Sequence, residues 1–167
     1  GTVIKQRIHV HLRFVGAGMN TEILKLKNQL CFPLYAAAKE VVNRYKPFLK
    51  KIDLTYTQYI AMMVLWEYKS IGVKDLGKHL YLDSGTLTPL LKRLEGKGLV
   101  RRERSTEDER TVNITITDTG EKLKEEAVLI PAQIAKCMPL SMEEASTLYK
   151  LLYKLLKKMD CGDEVVF

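Results

Sequence analysis

The sequence has few of the residues on which disulfide frameworks, metal centres and hydrolytic sites depend. Only three of its 167 residues are cysteines and no CxxC pair occurs, which excludes a disulfide scaffold and argues against a zinc finger. His79 is the only histidine outside the first eighteen residues. Neither a metal constellation nor a phosphate-binding loop nor a Ser/His/Asp arrangement is present to assign. These absences predict no cofactor and no metal, and they disfavour an enzyme.

Long apolar segments are also missing. The longest run, from Tyr59 to Trp66, has eight residues, whereas a membrane-spanning helix needs roughly 20. This excludes a transmembrane protein. The hydrophobic fraction of 46% is nevertheless too high for a disordered chain. A chain of 167 residues can form one core with an appendage, or share a core with a copy of itself.

Positive charge is in excess, with 27 lysines and arginines against 20 acidic residues and a net charge of +7. Such a balance favours a polyanionic partner such as nucleic acid. Residues 1–18 contain three basic and no acidic residues, and they end in a Gly-Ala-Gly linker before Met19. We expect residues 1–18 to be an added leader and assign them no function.

Hydrophobic periodicity predicts a mostly helical protein. Apolar residues recur every three or four positions from Ile23 to Phe48, which indicates a long amphipathic helix. Pro33 either kinks this helix or begins it. A second helix is predicted to begin at Thr55, which forms a capping box with Gln58. Three further helices are predicted over Val73–Leu80, Ser84–Gly96 and Asp118–Ala135, the last with a bend at Pro131. A final helix is predicted to follow a cap at Ser141.

A basic hairpin is predicted after the Ser84–Gly96 helix. Leu99–Arg104 has the composition of a strand, and Val112, Ile114 and Ile116 alternate with polar residues in a second one. A helix, a tight turn, a second helix and a basic two-stranded hairpin form the layout of a winged helix-turn-helix. The predicted fold class is therefore mainly α with a small β-hairpin wing.

The Ser84–Gly96 helix is the predicted DNA-recognition helix. It is expected to bury Leu87, Leu91 and Leu94 and to present polar and basic side chains, which can reach base edges and phosphates in a major groove. Arginines around the hairpin can enter the minor groove. The alternative is a solvated basic surface on a domain that binds protein. The predicted DNA-binding residues are Ser84, Thr86, Thr88, Pro89, Lys92 and Arg93 on the helix and Arg101, Arg102, Arg104 and Arg110 at the hairpin.

The stretch from Tyr81 to Gly120, with Asp108-Glu109-Arg110 at its wing, resembles the DNA-binding lobe of the MarR family of bacterial regulators. The resemblance extends over about 25–160 and is closest to the organic-hydroperoxide-resistance subgroup. The segments NQLCFPLYAAAKEVVNRYKPFL and LTYTQYIAMMVLWE carry that closer match.

The resemblance implies a cytoplasmic homodimeric repressor whose subunits each bind half of a palindrome in double-stranded DNA. Asp108 would pair with Arg110 as the arginine enters the minor groove, and Asp83 would pair with Arg93 to steady the recognition helix. The implied division is a helical dimerisation region over 19–54 and 118–160, a DNA-binding lobe over 55–117, and a tail over 161–167.

The resemblance further implies that Cys31 senses organic hydroperoxides, since Tyr45 and Tyr56 match tyrosines that hydrogen-bond the reactive sulfur. A cysteine reacts as the thiolate, and a phenol donates to a thiolate while remaining protonated. Tyr35, one helical turn beyond Cys31, and the Trp66 region are expected to line an apolar pocket that favours organic peroxides. The alternative is an inert core cysteine. Pro33 departs from the subgroup, where an aliphatic residue is usual.

Oxidation of Cys31 is expected to give a sulfenic acid, which a second thiol traps as a disulfide. Cys137 lies near the position of the resolving cysteine in two-cysteine regulators of the subgroup, and it would bridge to Cys31 across the dimer. Otherwise Cys137 is an exposed bystander and a small thiol resolves Cys31, while Cys161 is incidental. Two alternative functions remain, a repressor released by a bound small aromatic ligand and, less favoured, a thiol peroxidase.

Overall fold

The helices and strands follow one another in the order of a winged helix-turn-helix, which confirms the predicted fold class. A computed structural model describes residues 21–104 and 112–160, with side chains through residue 157. The expectations for residues 1–18, for Asp108 and Arg110, and for the tail from Cys161 fall outside the described residues. The elements are α1 (Cys31–Leu49), α2 (Tyr56–Tyr68), β1 (Ser70–Gly72), α3 (Val73–Leu80), α4 (Ser84–Gly96), β2 (Val100–Arg104), β3 (Val112–Ile116), α5 (Asp118–Ala127), α6 (Ile130–Lys136) and α7 (Met142–Asp160), with 3-10 turns at Thr21–Leu24, Leu26–Asn28 and Lys50–Ile52.

The first long helix begins later than its apolar spacing predicts. Lys25 and Gln29 have extended backbones, so the chain before Cys31 forms two short 3-10 turns and not a continuous helix. Cys31 is the first residue of α1 and Pro33 is the third. In the first turn a proline removes no intrahelical hydrogen bond, because the N–H groups there have no intrahelical partner. Pro33 therefore belongs to the start of the helix, and the prediction of a helix from Ile23 is wrong.

Local capping sets the start of α2 as predicted. The Gln58 N–H donates to the Thr55 hydroxyl at 3.3 Å, and the Thr55 N–H donates to the Gln58 side chain at 2.9 Å. From this capping box α2 runs through the most apolar segment of the chain and contributes Ala61, Met62 and Leu65 to the core. Much of the buried core therefore comes from α2.

The tight turn between α3 and α4 depends on Gly77 and Tyr81. Tyr81 adopts a left-handed conformation with φ of 53°, and the Leu82 N–H donates to the Gly77 carbonyl at 3.0 Å. A Cβ on Gly77 would lie 2.8 Å from the Leu82 carbonyl oxygen, so only glycine allows this close approach. The turn places α4 across α3 with its leucines inward. Leu87, Leu91 and Leu94 are buried as predicted, and Leu90 is buried with them.

The wing is attached to a third strand that the sequence analysis did not predict. The strands are antiparallel in the order β1-β3-β2, and Ile114 of β3 lies opposite Ile71 on one side and Arg102 on the other. β1 has only three residues and offers no alternating pattern long enough to detect. It secures the base of the wing to the end of α2.

The predicted Asp118–Ala135 helix is divided into α5 and α6, and Pro131 is the second residue of α6. The last helix begins as predicted, because Ser141 and Glu144 form a reciprocal cap with bonds of 2.8 and 3.2 Å. The described chain forms two compact units, one ending at Ile130 and the other beginning at Pro131. Within the described residues, no helix combines the length and the hydropathy needed to cross a bilayer.

Candidate functional site

The outer face of α4 carries the residues that were predicted to bind DNA. All of them are exposed, while the leucines on the opposite face are buried. The helix therefore presents to solvent a face that is polar and basic apart from Pro89, as expected of a recognition helix. The exposed residues are Ser84, Thr86, Thr88, Pro89, Lys92 and Arg93.

Hydrogen bonds at the start of α4 hold two of its hydroxyls in place. The Asp83 carboxylate accepts from the Thr86 N–H at 3.0 Å and from the Thr86 hydroxyl at 2.9 Å, and these bonds lower the pKa of Asp83. The Thr88 hydroxyl donates to the Ser84 carbonyl at 2.8 Å. None of the ion pairs between described residues joins Asp83 to Arg93. Asp83 steadies the helix as its N-cap, and Arg93 is left on the exposed face.

The arginines of β2 point to opposite sides of the sheet, because side chains alternate along a strand. Arg101 is exposed, and its Nε lies 2.8 Å from a carboxylate oxygen of Glu103. Arg104 is exposed as well. Arg102 and Arg104 share the other face, where Arg102 is half-buried and its Nε is buried without a hydrogen-bond partner among the described residues. Arg101 and Arg104 are thus better placed than Arg102 to reach DNA.

Cys31 and Tyr45 lie near opposite ends of one helix. Tyr45 follows Cys31 by fourteen residues in α1, a separation of about 21 Å at 1.5 Å per residue. No phenol spans that distance, so the sulfur cannot contact Tyr45 of its own chain. Cys31 is exposed at the helix start, and Tyr35, one turn further on, is exposed too. The predicted cysteine–tyrosine contact is therefore absent within one chain and can form only between two copies.

The structure brings Tyr45 and Tyr56 together and adds Tyr59 to them. The rings of Tyr45 and Tyr56 are 5.0 Å apart in an edge-on arrangement, and those of Tyr45 and Tyr59 are 5.9 Å apart. Burial raises the pKa of all three phenols, and for Tyr45 and Tyr59 the neighbouring tyrosines raise it further. The hydroxyls therefore remain protonated donors at neutral pH. Tyr59 was not predicted, although its spacing of three residues from Tyr56 places both on one face of α2.

These raised pKa values predict a loss of stability in alkali. In the unfolded chain a phenol ionises near pH 10, whereas the folded protein keeps the Tyr45, Tyr56 and Tyr59 hydroxyls protonated to higher pH. The stabilisation is complete below the unfolded pKa and is lost as the pH rises through the raised folded pKa. Urea unfolding between pH 8 and 11 measures the loss. Tyr56→Phe should flatten this dependence, and an equal dependence in Tyr56→Phe and wild type would contradict the assignment.

A groove lies between the end of α1 and the start of α2, beside Tyr56. Its volume is about 560 Å³, within the range of pockets that hold small organic molecules. Its walls combine apolar side chains with cations, and Lys97 pairs with Asp53 at 2.9 Å. The wall residues that matter here are Val42, Leu49 and Leu54 and the basic Lys46, Lys50 and Lys97. Among the described residues no cluster of three metal-ligating side chains occurs.

Comparison with known proteins identifies regulators along most of the chain. A family profile described as transcriptional regulator SarA/Rot matches residues 43–127. The organic hydroperoxide resistance transcriptional regulator of Bacillus subtilis is 51% identical over 136 residues, which are 81% of this chain and 92% of that protein. The transcriptional regulator SarZ of Staphylococcus haemolyticus is 46% identical over 127 residues, 76% of this chain and 86% of that one.

Solved structures of AbfR, a protein of Staphylococcus epidermidis, share the fold. Reduced AbfR bound to DNA is 38% identical with a TM-score of 0.70, over 84% of this chain and 99% of that chain. Disulfide-formed AbfR is 37% identical with a TM-score of 0.59, over 84% and 96% of the two chains.

The fold and the exposed face of α4 thus define a winged-helix DNA-binding transcriptional regulator, and the chain is not an enzyme. It belongs to the family of MarR and SarA/Rot regulators, in the organic-hydroperoxide-resistance subgroup. The resemblance inferred from the Tyr81–Gly120 lobe and the Cys31 segment is confirmed.

Proposed function

We propose that this protein is a cytoplasmic homodimeric repressor that senses organic hydroperoxides at Cys31 and then releases a palindromic operator. One observation carries the proposal. An exposed cysteine begins α1, and a pair of protonated phenols lies near the end of that same helix. Two copies of α1 packed antiparallel would place each Cys31 beside the Tyr45 and Tyr56 of the other chain. The sensing site is then complete only in the dimer.

The distribution of exposed apolar side chains supports this dimer. Among the described residues, all the exposed large hydrophobic side chains except Met63, Tyr68 and Tyr81 lie between residues 23 and 35 or between 128 and 155. Soluble monomers rarely expose apolar area on this scale. A second copy of the chain would bury these side chains in a dimer interface. Sedimentation equilibrium should give twice the chain mass of 19.1 kDa. A monomer at micromolar concentration would contradict a sensing site that is shared between two copies.

The sensing step transfers one oxygen atom. The Cys31 thiolate attacks the outer oxygen of the hydroperoxide, the O–O bond breaks, and the departing alkoxide takes up a proton to become an alcohol. The sulfur is oxidised to the sulfenic acid while the peroxide is reduced. Phenol hydroxyls of the partner's Tyr45 and Tyr56 would donate hydrogen bonds to the thiolate before the attack.

The second step joins Cys31 to another thiol. The attacking thiolate forms an S–S bond with the sulfenic sulfur, the S–O bond breaks, and the departing hydroxide takes up a proton from solvent to become water. Cys137 is exposed directly after α6, where it is accessible for this reaction. Non-reducing mass analysis after treatment with cumene hydroperoxide should show a dimer crosslinked through Cys31 and Cys137. A small-thiol adduct on Cys31 would instead assign resolution to an external thiol.

DNA release is tested with a duplex that the reduced wild-type protein selects from a random pool. Cumene hydroperoxide should weaken binding to this duplex, and dithiothreitol should restore it. AbfR has been solved reduced on DNA, overoxidised on DNA and with a disulfide formed, so a relative of this chain adopts both reduced and oxidised states. A DNA affinity that peroxide does not change would exclude the sensing function, but it would not contradict the assignment as a DNA-binding regulator.

Arg93 offers a direct test of the recognition surface. Arg93→Ala should weaken binding to the selected duplex and, if the guanidinium neutralises one phosphate, reduce the slope of log K against log salt by about 0.9. Fluorescence anisotropy across a salt series measures both quantities. Lys51→Ala is the matched control, since Lys51 is an exposed cation in the Lys50–Ile52 turn, outside both α4 and the proposed α1 interface. Equal slopes for Arg93→Ala and Lys51→Ala would show that this face of α4 does not contact the DNA backbone.

A repressor released by a small aromatic anion is the second candidate, and the groove beside Tyr56 favours it. Apolar walls with Lys46 and Lys50 suit an aromatic ring that carries a carboxylate. The two candidates separate in Cys31→Ser, which cannot be oxidised at this position. Release of DNA by salicylate in that variant would establish ligand sensing.

A further inference from the structure

A column of aromatic rings leads from the tyrosine pair into the core of the DNA-binding lobe. Tyr45 contacts Tyr59 at a ring separation of 5.9 Å, and Tyr59 contacts Trp66 at 6.2 Å in an edge-on arrangement. Tyr59 and Trp66 lie two turns apart on α2 and are only 3% and 7% exposed. One end of the column is at the proposed sensing site, and the other is deep in the lobe.

The deep end of the column is fixed to the base of the wing. The indole N–H of Trp66 donates to the Gly120 carbonyl at 2.9 Å, a buried bond between residues 54 positions apart. Gly120 packs directly on Leu99, because a Cβ at Gly120 would overlap the Leu99 carbonyl oxygen. That same oxygen accepts the Thr117 N–H at 3.1 Å. Leu99 connects the end of α4 to β2, so Trp66 is linked through Gly120 to the junction between the recognition helix and the wing.

Tyr59 and Trp66 are the two buried rings of the column. Protein interiors are packed as densely as organic crystals, so a buried ring that moves must push its neighbours or leave a void. A buried indole N–H that loses its acceptor is costly, which keeps Gly120 moving with Trp66. A shift of Tyr45 therefore reaches Leu99 through the rings of Tyr59 and Trp66, the hydrogen bond to Gly120 and the packing of Gly120 on Leu99.

We propose that Tyr59 and Trp66 are positioning residues that couple the sensing site to the recognition helix α4 and the wing. When oxidation of Cys31 displaces the Tyr45–Tyr56 pair, the ring column and the Trp66–Gly120 hydrogen bond carry the displacement to Leu99. The angle between α4 and the wing then changes, and DNA is released. This inference rests on the proposed function, and it adds the route by which oxidation acts on the winged helix.

Trp66→Phe tests the route, because it keeps an aromatic ring and removes the N–H. The quantity to measure is the ratio of the dissociation constants of oxidised and reduced protein for the selected duplex. We expect the reduced variant to bind within about threefold of wild type, and its ratio to fall at least about fivefold below the wild-type ratio. The rate of Cys31 oxidation should be unchanged. Tyr68→Phe is the matched control, since Tyr68 is on α2 but its ring contacts His79 outside the column.

Trp66 also reports on the column without any substitution, because it is the only tryptophan in the chain. Its fluorescence in DNA-free wild type should change after cumene hydroperoxide and should stay constant in Cys31→Ser. Wild-type protein that keeps its DNA affinity after oxidation would contradict the proposed function itself. A wild type that releases DNA with no change in emission, or a Trp66→Phe protein with the wild-type ratio, would overturn the coupling alone.

Discussion

Cys31→Ser is expected to bind the selected duplex as tightly as wild type and to lose all response to organic hydroperoxide. Serine has nearly the size of cysteine, but its hydroxyl does not form the anion that attacks a peroxide oxygen. Cys31 is exposed at the start of α1, so the change removes no core packing. Typical allosteric couplings predict that wild type loses affinity by roughly 5- to 150-fold on oxidation. Fluorescence anisotropy before and after cumene hydroperoxide measures the loss directly.

Cys137→Ser is the matched control for this experiment, because it removes an exposed cysteine of the same chemistry. It should still be oxidised at Cys31 and should fail to form the crosslinked dimer. A Cys31→Ser protein that releases DNA on peroxide treatment, with dithiothreitol restoring binding, would assign the sensing role to another residue.

Gly120→Ala is expected to cause the largest loss of stability among the substitutions considered. The added Cβ would overlap the Leu99 carbonyl oxygen and lie 2.8 Å from Cγ1 of Ile116. Overpacking a core costs roughly 1–3 kcal/mol. We expect the upper end of that range, because the obstructing oxygen belongs to a backbone that pairs with Thr117. For a protein of this size such a loss lowers Tm by roughly 6–12 °C. Thermal unfolding followed by circular dichroism measures it.

Gly96→Ala provides the comparison at a glycine without constraint. Beyond its chain neighbours and the backbone of its own helix, a Cβ at Gly96 would meet no atom within 4 Å, and the residue ends α4 in a helical conformation. Alanine in place of glycine is expected to be neutral or stabilising by up to about 1 kcal/mol. Equal Tm values for Gly120→Ala and Gly96→Ala would mean that α5 can move away from Leu99, and the rigid junction between α4 and the wing would then be wrong.

Much of the lobe could be predicted because its signals are local. The Thr55 capping box, the short α3 and the leucine spacing of α4 each involve residues within one or two helical turns. Such signals depend on backbone hydrogen bonding and side-chain periodicity, which neighbouring residues determine. The predicted elements at these positions agree with the structure nearly residue for residue.

The predictions that failed concern elements whose formation depends on distant parts of the chain. The apolar spacing from Ile23 continues into α1, yet the extended backbones at Lys25 and Gln29 separate the two segments. β1 exists because β3 offers an edge to pair with, and its three residues carry no pattern of their own. Tyr59 joins the tyrosine pair only because α1 and α2 cross at that point.

The order of amino acids alone is sufficient to specify a winged helix-turn-helix with a basic recognition face and a cysteine segment of the hydroperoxide-resistance type. It leaves undecided which groups meet in space. Tertiary structure shows that about 21 Å of helix separates Cys31 from Tyr45 and that Trp66 bonds to Gly120 across 54 positions. The physical reason is that helix and cap formation are short-range, whereas contacts between elements arise when distant parts of the chain pack against one another.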